Sequence, residues 1–208
     1  EAVKKLRGPP GTRVSLRILR SKTQEFKLVE VERANIEVAS VKGTQVLEAD
    51  IGYLRITQFS EPTADSLQKE LDVLVEKNIK ALVIDLRNNP GGLLNSAVEV
   101  AGKFLDRNQV VVSTQGREEK DNQVFKSRGR KRFPDIPLAI LVNAGSASAS
   151  EIVAGALQDH RRAVLIGEKT FGKGSVQSVL SMDEGTAIRL TTAKYYTPSM
   201  EVIHERGI

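Results

Sequence analysis

The spacing of hydrophobic positions changes twice along the chain. Over the first thirty or so residues the patterns are short. Ala2, Val3 and Leu6 share one helical face, and Gly8-Pro9-Pro10-Gly11 then breaks the chain. Val14, Leu16 and Ile18 alternate with Arg13, Ser15 and Arg17, which predicts a half-buried strand. A second strand is expected over 26–31. So few elements cannot enclose a good core, and they read as a small separate piece.

From Ile51 the signals lengthen. Residues 52–56 read as a strand. Pro62-Thr63 opens a helix with Ala64, Leu67, Leu71, Leu74 and Val75 on one face, and Asn78 is its stop. Ala81-Leu82-Val83-Ile84 is a continuous apolar run, typical of a strand buried on both faces of a parallel sheet. A second helix follows from Leu94, Ala97, Val98, Ala101 and Leu105, a strand over 138–142, a third helix from Ile152, Val153, Ala156 and Leu157, and a short strand over 163–166. After Gly174 the period becomes two. Residues 176–182 and 186–197, around Asp183-Glu184-Gly185, predict a hairpin. Strands alternating with helices predict an α/β layer fold with crossover connections.

Composition removes several chemistries. The chain has 208 residues, 40% hydrophobic and 27% charged, which is ordinary globular usage and excludes a disordered chain. It has no Cys, so disulfides, Cys-ligated zinc, iron–sulfur clusters and thiol catalysis are excluded. His160 and His204 are the only histidines, too few for a His-rich metal site. The net charge of +5 raises affinity for anions in general without implying nucleic acid. Aromatic residues make up 4% with no Trp, so base-stacking platforms are lacking. For the same reason the basic run over 126–132 reads as a solvated loop. No apolar run reaches the ~18 residues of a membrane span, and the charged start has no signal-peptide core.

Two Gly-rich elements carry the candidate chemistry. Asp85-Leu86-Arg87-Asn88-Asn89-Pro90-Gly91-Gly92 lies between a buried strand and a helix. Its glycine pair permits positive φ and leaves backbone N–H groups outward, as an oxyanion hole needs, although a plain strand-to-helix turn has the same pattern. Gly145-Ser146-Ala147-Ser148-Ala149-Ser150-Glu151 also follows a strand and precedes a helix. One serine there would be exposed at the carboxyl edge of the sheet. The competing reading is helix capping, with Glu151 three residues after Ser148 completing a capping box.

A serine nucleophile needs a base. His160 adjoins Asp159, but consecutive side chains point in different directions, which argues against a Ser–His–Asp arrangement. A lysine is the other candidate, since a buried lysine loses charge readily and then accepts a serine proton. Lys173 sits between Gly172 and Gly174, and the Gln177 amide lies four residues on. Gly167-Glu168-Lys169-Thr170-Phe171-Gly172-Lys173 also matches the start of a P-loop. Against that, Gly174 stands where Ser or Thr should hold Mg²⁺, and 176–180 alternates like a strand.

These motifs together resemble the C-terminal processing peptidases, or tail-specific proteases. The resemblance rests on Asn143 through Ile152, on Ala156-Leu157-Gln158-Asp159, on Gly167 through Gln177, on Asp85 through Gly92, and on Ala193-Lys194-Tyr195-Tyr196-Thr197-Pro198. It implies a ClpP/crotonase-like α/β serine protease core over 34–208, preceded over 1–33 by the last helix and strands of a PDZ domain. It further implies Ser148 as nucleophile, Lys173 as general base and Gln177 as its positioning group. Backbone N–H groups of Gly91, Gly92 and Ala149 would form the oxyanion hole, and Asp159 would serve structure. No metal or cofactor is implied. The expected partners are proteins or peptides with exposed C-termini, in the periplasm, cell envelope or thylakoid lumen; membrane association and oligomeric state stay open. The carboxylate-binding loop of the PDZ domain and the far end of the family core are expected to lie outside the chain. Met200 stands where the family usually has a small residue. The alternatives are a P-loop-like nucleotide-binding protein and a non-catalytic peptide-binding module.

Overall fold

A computed structural model describes residues 2–35, 39–129, 133–182 and 186–208. The chain forms two compact units, Glu1–Ala39 and Ser40–Ile208. In the first, helix α1 (Ala2–Leu6) precedes the antiparallel pair β1 (Arg13–Arg20) and β2 (Glu25–Glu32). Arg33 ties the unit together. Its guanidinium donates to the carbonyls of Lys5 and Leu6 at the helix end, and to Thr12 Oγ1 and the Arg13 carbonyl. Phe26, Leu28 and Ile18 remain exposed, as expected for elements too few to build a core.

The second unit holds a five-stranded sheet in the order β3-β4-β5-β8-β9. Its strands are β3 (Val41–Leu47), β4 (Ile51–Ile56), β5 (Ala81–Asp85), β8 (Leu138–Val142) and β9 (Val164–Gly167). The pairs β4–β5, β5–β8 and β8–β9 are parallel, and β3–β4 is antiparallel. Crossover helices follow from the period-3.6 stretches: α2 (Thr63–Glu76), α3 (Leu94–Ala101) and α4 (Ala149–Asp159). Leu67, Leu71 and Leu74 of α2 are buried, as their spacing predicts. Helix α4 is buried from Ala149 to Leu157. Leu105, expected on α3, lies in the turn after it but is still buried.

A second sheet runs β10-β11-β6-β7. It comprises β6 (Val110–Gly116), β7 (Gln123–Lys126), β10 (Ser175–Ser181) and β11 (Ala187–Tyr196). The expected hairpin is the antiparallel pair β10–β11; its turn over 183–185 lies outside the described residues, as do 130–132 of the basic run. Strands β3, β6 and β7 escape the periodicity reading. A register shift between Lys42 and Gln45 interrupts β3, and β6 buries Ser113 and Thr114 beside Val111 and Val112, so it shows no alternation.

Candidate active site

Three adjacent parallel strands end at the same edge, and each feeds a Gly-rich segment. β5 runs into the turn with Gly91-Gly92, β8 into the Ser148 segment, and β9 into the Lys173 segment. Strand order thus places side by side three stretches that lie far apart in sequence.

The first two segments are stitched together by backbone and short polar side chains. Asn143 Oδ1 accepts the Asn88 amide (2.9 Å), and Asn143 Nδ2 donates to Asn88 Oδ1 (3.1 Å). Ser146 Oγ donates to the Leu86 carbonyl (2.8 Å), and Ser150 Oγ to the Asn89 carbonyl (2.9 Å). Both serines are fully buried. Their hydroxyls are therefore committed to the fold, and Ser148, partly exposed, is the one of the three accessible to a substrate. Ser148 also has a positive φ of 57° with ψ −114°, a strained conformation for a residue with a side chain. Gly91 makes this approach possible. A Cβ at Gly91 would lie 2.6 Å from the Ala147 carbonyl oxygen and 2.8 Å from Ser148 Cβ.

The capping box expected from the Ser148–Glu151 spacing is present, but Glu151 does more than cap. Its side chain is fully buried among small and apolar residues at the start of α4. Four donors converge on it. Oε2 accepts the amides of Ser148 (2.7 Å) and Lys173 (2.9 Å), and Oε1 accepts the Gly172 amide (2.6 Å) and Thr170 Oγ1 (2.6 Å). Such a set satisfies a buried carboxylate. One side chain thereby joins the residue carrying the candidate nucleophile to the residue carrying the candidate base.

The base itself departs from expectation. Lys173 is exposed, because the loop is held through its backbone amides and no described element covers the side chain. No described hydrogen bond joins Lys173 Nζ to Ser148 Oγ or to Gln177. Gln177 is exposed on β10 at a register shift between Val176 and Gln177, opposite Thr191.

The Gly91 amide is already committed to Asn89 Oδ1 (2.9 Å), and the Asn89 amide group in turn donates to the Ile56 carbonyl (2.8 Å). The donors left without a described partner are the amides of Gly92 and Ala149. The turn that carries Gly92 is braced at its root by Asp85, which is buried. Asp85 accepts from the Arg87 side chain (2.7 and 3.0 Å), the Arg87 amide (2.9 Å) and Tyr53 Oη (2.9 Å). Burial pushes the Asp85 carboxyl up, but the bonds from Arg87 and Tyr53 outweigh it and hold the group below its ordinary range.

The remaining candidates have structural partners. Asp159 Oδ2 accepts the Ser199 amide (2.8 Å). His160 Nε2 is engaged with the Val110 carbonyl (2.7 Å). The P-loop reading fails on connectivity: the segment after Lys173 enters strand β10, whereas phosphate binding of that kind needs a helix N-terminus. Met200 has a positive φ of 67°, the conformation for which a glycine is the default residue.

Comparison with known proteins points the same way. Residues 50–208 match peptidase family S41. The chain is 46% identical over 212 residues to a carboxy-terminal-processing protease of Bartonella bacilliformis, covering all of this chain and 48% of that protein. It is 42% identical over 213 residues to a carboxyl-terminal-processing protease of Synechocystis, covering all of this chain and 49% of that one. Among solved structures, the photosystem II D1 C-terminal processing protease superposes with a TM-score of 0.75 at 29% identity, over 97% of this chain and 55% of its own. The chain therefore spans about half the length of the curated relatives it matches.

Proposed function

The chain belongs to peptidase family S41, and on that premise we propose that it is the core of a serine endopeptidase that cleaves proteins near their C-termini through Ser148 and Lys173. The observation that carries this reading is the buried Glu151 carboxylate, which holds the Ser148 and Lys173 amides at once.

In the proposed reaction, uncharged Lys173 takes the hydroxyl proton of Ser148 as Oγ attacks the scissile carbonyl carbon. The carbonyl oxygen becomes an oxyanion held by the amides of Gly92 and Ala149, which also sits at the N-terminus of α4. Collapse of the tetrahedral intermediate expels the amine, which takes the proton back from Lys173 and leaves an acyl ester on Ser148. Water, deprotonated by Lys173, then attacks the ester carbon; the bond to Ser148 Oγ breaks, Oγ takes the proton back from Lys173, and the carboxylate product leaves. Lys173 is exposed, so in this reading substrate or another part of the protein covers it before this step. Gln177, four residues on, is proposed to meet the amine once it turns inward.

The partners under this reading are unfolded or flexible polypeptides presenting a C-terminus. Residues 1–33 are proposed as the end of a PDZ domain that selects them, and the working compartment is proposed to be outside the cytoplasm. A chain with no cysteine is indifferent to an oxidising environment. The test is hydrolysis of one peptide as its free acid and as its C-terminal amide. Cleavage of the peptide by the protein, abolished by Ser148→Ala, is expected. Peptide binding without cleavage would instead support a non-catalytic module. Equal rates on acid and amide would remove the C-terminus from substrate selection by this chain.

A further inference from the structure

Behind the catalytic loops lies a node that the reaction above does not use. The last described segment, 203–208, lies against the lysine loop at backbone distance. The Glu205 amide donates to the Gly172 carbonyl (2.9 Å), and the Thr170 amide to the Ile208 carbonyl (3.2 Å). Thr170 is buried, and its hydroxyl is used twice. It donates to Glu151 Oε1 (2.6 Å) and accepts from the Ile208 amide (2.8 Å). Gly207 permits the contact: at φ +69°, a Cβ there would lie 2.6 Å from the Thr170 carbonyl oxygen and 2.9 Å from its hydroxyl.

We propose that Thr170 is a positioning residue, whose hydroxyl couples the 203–208 strap to the Glu151 carboxylate and so fixes the spacing of the Ser148 and Lys173 loops. Glu151 Oε1 has two donors, Thr170 Oγ1 and the Gly172 amide. Removing the hydroxyl takes one away and leaves the Ile208 amide without its acceptor. The carboxylate is then free to turn, and its grip on the Ser148 and Lys173 amides loosens. A hydroxyl-to-carboxylate bond is charge-assisted and among the stronger kinds. The consequence for rate rests on the proteolytic reading; the consequence for loop order does not.

The test uses Thr170→Val, which keeps the shape, Thr170→Ser, which keeps the hydroxyl, and Gly207→Ala, which keeps both but displaces the strap. Amide hydrogen exchange at Ser148, Gly172 and Lys173 is expected to speed up by roughly 10- to 100-fold in Thr170→Val and Gly207→Ala and to stay near wild type in Thr170→Ser. In peptide hydrolysis Thr170→Val should lower kcat by roughly 10- to 100-fold with KM nearly unchanged, and Thr170→Ser should restore most of it. Unchanged exchange in Thr170→Val, or an equal loss in Val and Ser variants, would overturn the proposal. Faster exchange in a protein that shows no Ser148-dependent hydrolysis would instead overturn the proteolytic reading while leaving the coupling in place.

Discussion

The serine loop and the lysine loop meet at one carboxylate but are built on different principles. Around Ser148 the side chains do the fixing. Ser146 and Ser150 are buried and bonded to carbonyls of the neighbouring turn, and Gly91 lets the two turns touch. Around Lys173 only the backbone is fixed, by Glu151 on one side and residues 205–208 on the other, while the lysine side chain stays exposed. Ser148 is thus placed by the fold alone. The backbone of Lys173 is fixed, but its side chain is left to whatever covers it. Under the proposed reaction, catalysis would be conditional on substrate engagement.

The largest expected effect breaks the serine side of this comparison. Ser148→Ala should lower kcat by roughly 10⁴- to 10⁶-fold at unchanged melting temperature. Ser146→Ala and Ser150→Ala should instead cost stability, about 1–3 kcal/mol each, because each removes a buried hydrogen bond between the two turns. Thermal melts run beside the kinetics separate the two outcomes.

Glu151→Gln strikes the joint itself. An amide NH₂ would face donors where an oxygen now accepts them, so the two loops should part. A fall in kcat of roughly 10²- to 10³-fold is expected, with a lowered melting temperature. A rate near wild type would show that the loops keep their spacing without the carboxylate.

A smaller effect sharpens the lysine side. If substrate must cover Lys173, lengthening a peptide across the site should raise kcat by about tenfold, in addition to lowering KM. A pure KM effect would mean that Lys173 is covered by the protein itself.

The smallest effect concerns the root of the Gly91-Gly92 turn. Asp85 titrates below its ordinary range in the folded chain. Its contribution to stability is therefore present above the unfolded carboxyl range, near pH 4, and is lost as pH falls through the lower folded value. Asp85→Asn should cost about 1–2 kcal/mol at pH 7, because Arg87 is half exposed and screened. The gap to wild type should close in acid. Denaturant melts at pH 7 and pH 3 measure it.

Much of this frame is legible in the residues, and the failures have physical reasons. The run Ala81-Leu82-Val83-Ile84 announces a central parallel strand because Leu82 and Ile84 are buried on one face and Ala81 and Val83 half-buried on the other. The heptad-like leucines of α2 announce its inner face. Strand β6 is hidden because Ser113 and Thr114 are buried where an alternating pattern would expose polar groups. Ser148 and Lys173 are visible as motif positions, whereas the Gly91 amide looks like an oxyanion donor until Asn89 is found to occupy it. Glu151 reads as a capping partner because its other bonds go to residues 19 to 22 positions away, a distance no local pattern reports. Its one sequence signal is a carboxylate among small and apolar residues at the start of a buried helix. Thr170 has no such signal at all; only the return of the chain at 203–208 gives it a role.

Labelling the protein with a fluorophosphonate and mapping the modified residue tests the central claim most directly, since the reagent reports on the activated serine without needing the natural substrate. The account predicts a single adduct on Ser148, formed far more slowly in Lys173→Ala and Glu151→Gln. An adduct on Ser146 or Ser150, or labelling of Ser148 at full rate without Lys173, would contradict it.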